Sequence, residues 1–270
     1  MFKSWFVDFD PVRAKISAKE NGQDPTRAAM AAIAAITVEQ LDTLPPEQLK
    51  TLSSTATLLP DTLVNSELGE IPEGWEVKAL SKMVELIGGG TPKKSEEAFW
   101  NGEIPWFSVK DAPADGDVFV VDTDAKITEL GLNKSSTKLL PEGVTIISAR
   151  GTVGRLALVG VPTAMNQSCY GVKGANDVGP YLNYYNLKEA VLTLQQNTHG
   201  AVFDTITRGT FDTVFRVDPS EDLKRAYETL VTPLFLQIKN NLFETKSLEQ
   251  LRDALLPKLL SGEIDMSEVA

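Results

Sequence analysis

The chain has 270 residues, 42% of them hydrophobic, enough for one sizeable core with an appendage or for two modest domains. Its 26 Lys and Arg stand against 37 Asp and Glu, a formal net charge of -11, so duplex DNA repels it at long range unless its cations gather on one face or a basic partner supplies the phosphate contacts. No apolar run approaches a bilayer-spanning length, acids stand where a signal peptide keeps its apolar stretch, and a single cysteine, Cys169, excludes an internal disulfide; the expectation is a soluble, cytoplasmic protein.

The first 70 or so residues lack a coherent core pattern and read as a helical connector. Asp24-Pro25 is a cap followed by a first-turn proline and predicts an alanine-based helix over Thr26–Ile36. Thr37 with Gln40 forms a capping-box pattern for a second short helix, and Pro45-Pro46 opens a third. From Trp75 to Val217 the pattern changes to short β-rich runs, at 104–109, 117–121, 144–149, 155–159 and 213–217, separated by Gly, Pro and Asn. Helical patterns fall at about 80–86, 128–132 and 181–196. The expected fold is α+β, an irregular mixed or antiparallel sheet followed by a long C-terminal helix.

Asp218-Pro219-Ser220-Glu221 reads as the start of that helix, with Asp218 as its cap. Leu223, Tyr227, Leu230, Leu234, Ile238, Asn241, Thr245, Leu248, Arg252, Leu255 and Leu259 follow at spacings of three and four, the seam of a coiled coil. Polar Asn241, Thr245 and Arg252 and two successive spacings of four around Pro233 interrupt the heptad, which costs stability but fixes register and partner. At ~1.5 Å per residue, Leu223 to Leu259 spans on the order of 50 Å. Leu230, Leu234, Ile238, Asn241, Leu248, Leu255 and Leu259 are the expected partner-facing residues.

The tail Leu251-Arg-Asp-Ala-Leu-Leu-Pro-Lys-Leu-Leu-Ser-Gly-Glu-Ile264, with Asn240-Asn241 before it, resembles the terminal spacer helix of the DNA-specificity subunits of type I restriction-modification systems. Further motifs follow in family order: Gly69-Glu-Ile-Pro-Glu-Gly-Trp75, Gly89-Gly-Thr-Pro92, Trp100-Asn-Gly-Glu-Ile-Pro-Trp106, Ile127-Thr-Glu-Leu-Gly-Leu-Asn133, Arg150-Gly-Thr-Val-Gly154, Asn166-Gln167 and Gly200-Ala-Val-Phe-Asp-Thr-Ile206. The resemblance implies a connector left from the central spacer region at 1–70, a target recognition domain at 71–217, a conserved spacer helix at 218–264 and a tail at 265–270. Phe2–Val12 resembles the end of the central spacer, so the chain looks like a C-terminal half, or a half-length version, of a two-domain subunit. The implied role is non-catalytic. One reader takes a half-site of a bipartite target and scaffolds the methyltransferase subunits, with a restriction or translocase subunit as a further partner and pairing with a second copy or half. S-adenosylmethionine and ATP belong to partner subunits, and the chain itself needs no cofactor or metal. The alternative is an acidic assembly module or inhibitor that does not touch DNA.

The residue inventory agrees with a binding role. No Gly-x-x-x-x-Gly-Lys-[Ser/Thr] loop occurs, and His199 is the only histidine. His199 beside Gly200 reads as a helix C-terminus, and Cys169 as a small buried filler. Asp61 with Glu76 and Lys78 fits the loose spacing of magnesium nucleases, a permissive pattern that charged chains often generate. For DNA contact the candidates are Thr91, Lys93, Lys94, Ser108, Lys110, Arg150, Thr152, Arg155, Asn166 and Gln167. The Gly88–Lys94 stretch is both a turn after a strand and a place where glycines let a phosphate approach. Arg150 suits guanine or phosphate and equally an ordinary exposed hairpin; Asn166 and Gln167 suit adenine or their own backbone.

Overall fold

The computed structural model describes residues 1–114, 116–197 and 205–263. Four helices open the chain: α1 (Phe2–Phe6), α2 (Asp10–Glu20), α3 (Pro25–Ala34) and α4 (Pro46–Thr57). Asp24 caps α3 by accepting from the amides of Thr26 and Arg27, and Ala35 ends it in the left-handed conformation at φ 54°. Thr37 and Gln40 bond each other's backbone amides ahead of a 3-10 turn at Glu39–Thr43, so the capping box is present on a tighter helix than expected.

These helices are not a connector without a core. Phe2, Trp5 and Phe6 are buried, and with Trp75, Tyr185 and Tyr227 they form an aromatic cluster in which the Phe6 and Tyr227 rings meet edge-on at 5.1 Å. The 3/4 spacing of the three apolar residues places them on one side of a helix too short to show periodicity. Burying Trp5 alone is worth about 3–5 kcal/mol by the usual cost of truncating such a side chain.

A hairpin of β1 (Leu63–Ser66) and β2 (Gly69–Pro72) leads to β3 (Glu76–Ala79), which later pairs with β12 (Phe215–Asp218). The main sheet is built from β4 (Val84–Gly88), β6 (Phe119–Val120), β8 (Thr145–Ser148), β9 (Leu156–Val159) and β11 (Cys169–Gly174), in the order β4-β11-β8-β9-β6 with β6 parallel to β9 and the other pairs antiparallel. A second small sheet holds β5 (Trp100–Phe107) between β7 (Lys126–Ile127) and β10 (Ala164–Met165). Short α5 (Glu129–Asn133) starts at a Thr128 cap, α6 (Pro180–Asn197) packs on the main sheet and on the last helix, and α7 (Thr210–Thr213) precedes β12. Leu80–Leu86, expected as a helix, is instead a 3-10 turn over Leu80–Lys82 followed by β4. Val84 points into the core and Glu85 out, the alternation of a strand.

Helix α8 (Glu221–Leu260) runs for 40 residues through Pro233 and Pro257, roughly 60 Å. Its cap is Ser220, which accepts from the Leu223 amide, and not Asp218. Asp218 ends β12 and holds two lysines, Lys78 of β3 at 2.6 Å and the buried Lys224 of α8 at 2.7 Å. That triad welds the start of α8 to the β3–β12 pair, because a buried charge without its partner is costly. Glu228, one turn further on, accepts from the Leu182 amide at 2.7 Å and so caps α6 from outside.

Candidate nucleic-acid interface

The register of the main sheet gathers the predicted segments at one end. Gly88 pairs with Tyr170, Cys169 with Ser148, and Ile147 with Leu156, so the loops at 89–96, 149–155 and 166–168 leave the sheet side by side. The Ala149 amide donates to the Ser168 carbonyl, and the Asn166 amide donates to the carbonyl of Phe107, the last residue of β5. The chain after β5 therefore crosses the same end before entering β6. Thr91, Lys93, Lys94, Lys110, Arg150, Thr152, Asn166 and Gln167 all lie on these loops.

Gly89 and Gly90 are needed for packing against the chain itself. A Cβ on Gly89 would sit 1.9 Å from the Asn166 carbonyl oxygen, and one on Gly90 would sit 2.3 Å from Ser136 Oγ. The Gly90 amide donates to Met165 and its carbonyl accepts from the Trp106 indole. The Gly90 amide is thus taken within the chain, a turn follows at Lys93–Glu96, and Thr91, Lys93 and Lys94 come after the two glycines. Trp106 and Phe107 are buried, as their aromatic character predicts.

Several candidates are already engaged. Ser108 caps a 3-10 turn, its amide and hydroxyl both donating to Asp111, so it does not emerge as a free donor. The Arg155 guanidinium is half-buried and donates to the Pro113 carbonyl. Asn166 Oδ1 accepts from the Ser168 amide, the local backbone bond that asparagine favours. The Gln167 side-chain oxygen accepts from the Thr91 hydroxyl. In this arrangement each amide oxygen already accepts one bond from the chain, which restricts how the pair can present donor and acceptor together to adenine. Gln167 keeps both its amide donors for an acceptor edge.

Lys94, Lys110 and Arg150 are exposed and make no ion pair with a described residue, whereas Lys93 is tied to Glu96 at 2.8 Å. Arg150 is held by a backbone bridge to Thr205, and the left-handed glycines 151 and 154, at φ 76° and 84°, shape the loop behind it. The loops at 89–96, 108–117, 133–138, 149–155 and 166–168 carry seven Lys and Arg against four Asp and Glu, the reverse of the chain as a whole. Of those acids, Glu96 and Asp111 are spent on Lys93 and on Ser108 and Asp124. Seven of the 26 Lys and Arg of the chain thus lie on these loops, with Lys93 paired to Glu96 and Arg155 bonded to the Pro113 carbonyl.

The profile of the type I restriction modification DNA specificity domain matches residues 72–214, which include all these loops. The chain belongs to this family. It is 32% identical over 278 residues to the Type I restriction enzyme HindI specificity subunit of Haemophilus influenzae, covering 98% of this chain and 60% of that protein. It is 38% identical over 112 residues to the EcoR124I/EcoR124II specificity subunit of Escherichia coli, covering 40% of this chain and 26% of the other. The crystal structure of the type I restriction-modification S subunit from M. genitalium superposes with a TM-score of 0.52 at 16% identity, over 93% of this chain and 57% of that one, a shared fold. The chain thus spans about 60% of the length of the HindI relative.

Within this specificity-domain chain, α8 divides into two faces. Leu223, Tyr227, Val231 and Phe235 are buried on its own domain, so the first part of the expected seam does not face a partner. Leu230 and Ile238 are half-buried. Leu234, Asn241, Leu248, Leu255 and Leu259 lie open, on a stripe turned roughly a quarter-turn from the covered one at about 100° per residue. The last ion pair to the domain joins Lys246 to Asp122, and every residue from 247 to 263 is exposed. Roughly 20 Å of helix, counted from Ser247 to Leu260, therefore projects from the domain.

The nuclease trio does not assemble: Asp61 pairs with Lys19, while Glu76 and Lys78 meet each other and Asp218. Among the described residues no group of three or more His, Cys, Asp or Glu is placed to hold a metal, and no helix is long and apolar enough to cross a membrane. Cys169 is buried, and burial pushes its thiol up to about 12. His199, Gly200 and the tail at 265–270 lie outside the described residues. The motifs read from the sequence do not include the loop at 133–138, which the structure lays against Gly90; the feature that marks it is a Lys-Ser-Ser-Thr-Lys cluster after a helix end.

Proposed function

We propose that this chain supplies DNA sequence recognition to a type I restriction-modification complex. The end of the main sheet meets one half-site of a bipartite duplex target, and α8 spaces that reader and holds it against the other subunits. The observation that carries this reading is the gathering of Lys94, Lys110, Arg150, Thr91 and Gln167 on adjacent loops of a chain whose remaining charge is strongly acidic. Phosphate contacts by Lys94, Lys110 and Arg150 fix position, and the amide donors of Gln167, whose oxygen is held by the Thr91 hydroxyl, reach toward base edges. One such domain reads only a few base pairs, so a bipartite target needs a second reader at a fixed distance, from a second copy or a second half. The open leucines of α8 offer the surface for that pairing and for methyltransferase subunits. The methyl donor, ATP and any base-flipping pocket sit on those partners, and the chain is divided functionally at about 70 and 218.

The net charge favours a second reading, an acidic assembly piece that docks through α8 and leaves DNA to its partners. Co-expression with the methyltransferase subunit, followed by mapping of methylated bases on a random DNA library, separates the two. The first reading predicts one bipartite methylated sequence whose yield drops in a Lys94→Ala, Lys110→Ala, Arg150→Ala variant that still assembles. An unaltered yield from that variant would establish the second.

A further inference from the structure

Residues 133–138, Asn-Lys-Ser-Ser-Thr-Lys, leave α5 and run directly beneath the glycine loop. The segment is pinned by two neighbours, Gly90 and Met165. Gly90 approaches so closely that a Cβ on it would lie 2.5 Å from the Thr137 amide nitrogen. The buried Thr137 hydroxyl donates to the Met165 carbonyl at 2.8 Å and accepts from the Met165 amide at 3.3 Å, and that same carbonyl takes the Gly90 amide at 2.9 Å. The segments around 90, 137 and 165 are thus stitched together at one oxygen, one residue before Asn166 and Gln167.

The structural work of the loop is done by buried groups of Thr137 and by the backbone. Lys134, Ser136 and Lys138 are exposed, and neither lysine forms an ion pair with a described residue. Two exposed cations without an ion pair to a described residue, and a hydroxyl, on a pinned segment beside the glycine loop suit a row of phosphate oxygens better than a base edge, because an ammonium is a point charge without bidentate geometry. The geometry points to residues 134–138 as a second backbone-gripping lip of the interface, with Lys134 and Lys138 neutralising DNA phosphates next to the base-facing Thr91–Gln167 pair. The inference rests on the reading that this end of the sheet meets duplex DNA, and it extends the footprint to a segment that the sequence motifs do not mark.

The test uses the full chain assembled with its methyltransferase subunits and a duplex of random sequence, titrated with salt. Lys134→Ala with Lys138→Ala is expected to weaken binding on the order of tenfold at moderate salt and to make the slope of log affinity against log salt shallower by about two, one for each lost phosphate contact. The methylated sequence should not change, and the double arginine variant should retain binding. Unaltered melting of the alanine variant shows that the fold has been spared. Unchanged affinity and slope, in a complex that Lys94→Ala with Arg150→Ala does weaken, would remove the loop from the footprint and leave the DNA reading in place. If neither pair matters, the DNA reading fails and the lip with it.

Discussion

Replacing Glu228 with glutamine should make the protein more stable at pH 8 and leave it little changed at pH 5. Glu228 sits between α8 and α6; burial pushes its carboxyl up to about 7, against the smaller opposing effect of hydrogen bonds from the Leu182 and Tyr181 amides. The side chain also fills the space above Gly179, where a Cβ would meet its carboxyl carbon at 2.3 Å, so water has little room to relieve it. A carboxyl whose folded pKa exceeds its unfolded value binds its proton more tightly when folded. Its stabilising contribution is complete below the unfolded value near 4.5 and is lost as pH rises through 7. At about 1.4 kcal/mol per pH unit of displacement, the loss is on the order of 3 kcal/mol. Glutamine keeps an oxygen to accept the Leu182 amide and has no charge to desolvate. Urea unfolding of both proteins at pH 5, 6, 7 and 8 measures the difference directly, since all other titrating groups cancel. The glutamine variant should gain steadily over this range, by a few kcal/mol at the top. A pH-independent difference, or a wild-type protein that is the more stable at pH 8, would refute the reasoning.

Asp218→Asn leaves the buried Lys224 without a counter-charge and Lys78 with Glu76 alone, and should cost about 3–5 kcal/mol in thermal or urea unfolding, with α8 detaching from β3–β12 first by hydrogen exchange. Leu248→Asp with Leu255→Asp, both on the uncovered stripe, should abolish self-pairing or partner assembly in native mass spectrometry while the melting of the domain is preserved. The Lys94, Lys110, Arg150 triple alanine should make the salt dependence of DNA binding by the assembled complex shallower by about three.

The β-rich runs of the middle region and the long terminal helix are legible in the sequence because turn residues bracket the one and a 3/4 spacing runs through the other. What escapes is long-range. Leu80, Met83, Val84 and Leu86 imitate a helical stripe although two of them turn a corner and the others alternate in β4. Phe2, Trp5 and Phe6 look like a loose connector until Tyr227 and Trp75, distant in sequence, complete their cluster. Asp218 carries a cap signature, yet Lys78 and Lys224 claim it and Ser220 takes the cap. At the candidate interface, residue types point to polar contact, but which side chains remain free depends on tertiary partners: Asp111 occupies Ser108, Pro113 holds Arg155, and Thr91 bonds the side-chain oxygen of Gln167. The helix seam shows the same limit. Its spacings of three and four run the whole length, while its first turns are covered by the domain and its last are open.

The most direct test of the division between a reading sheet and a spacing rod is an exchange of residues 72–214 for the matching segment of the HindI relative, with α8 and the N-terminal helices kept. In the co-expressed complex the methylated half-site should switch with the transplanted segment while assembly and the gap between half-sites stay as they were. A methylated sequence that remains that of the parent chain would contradict the account.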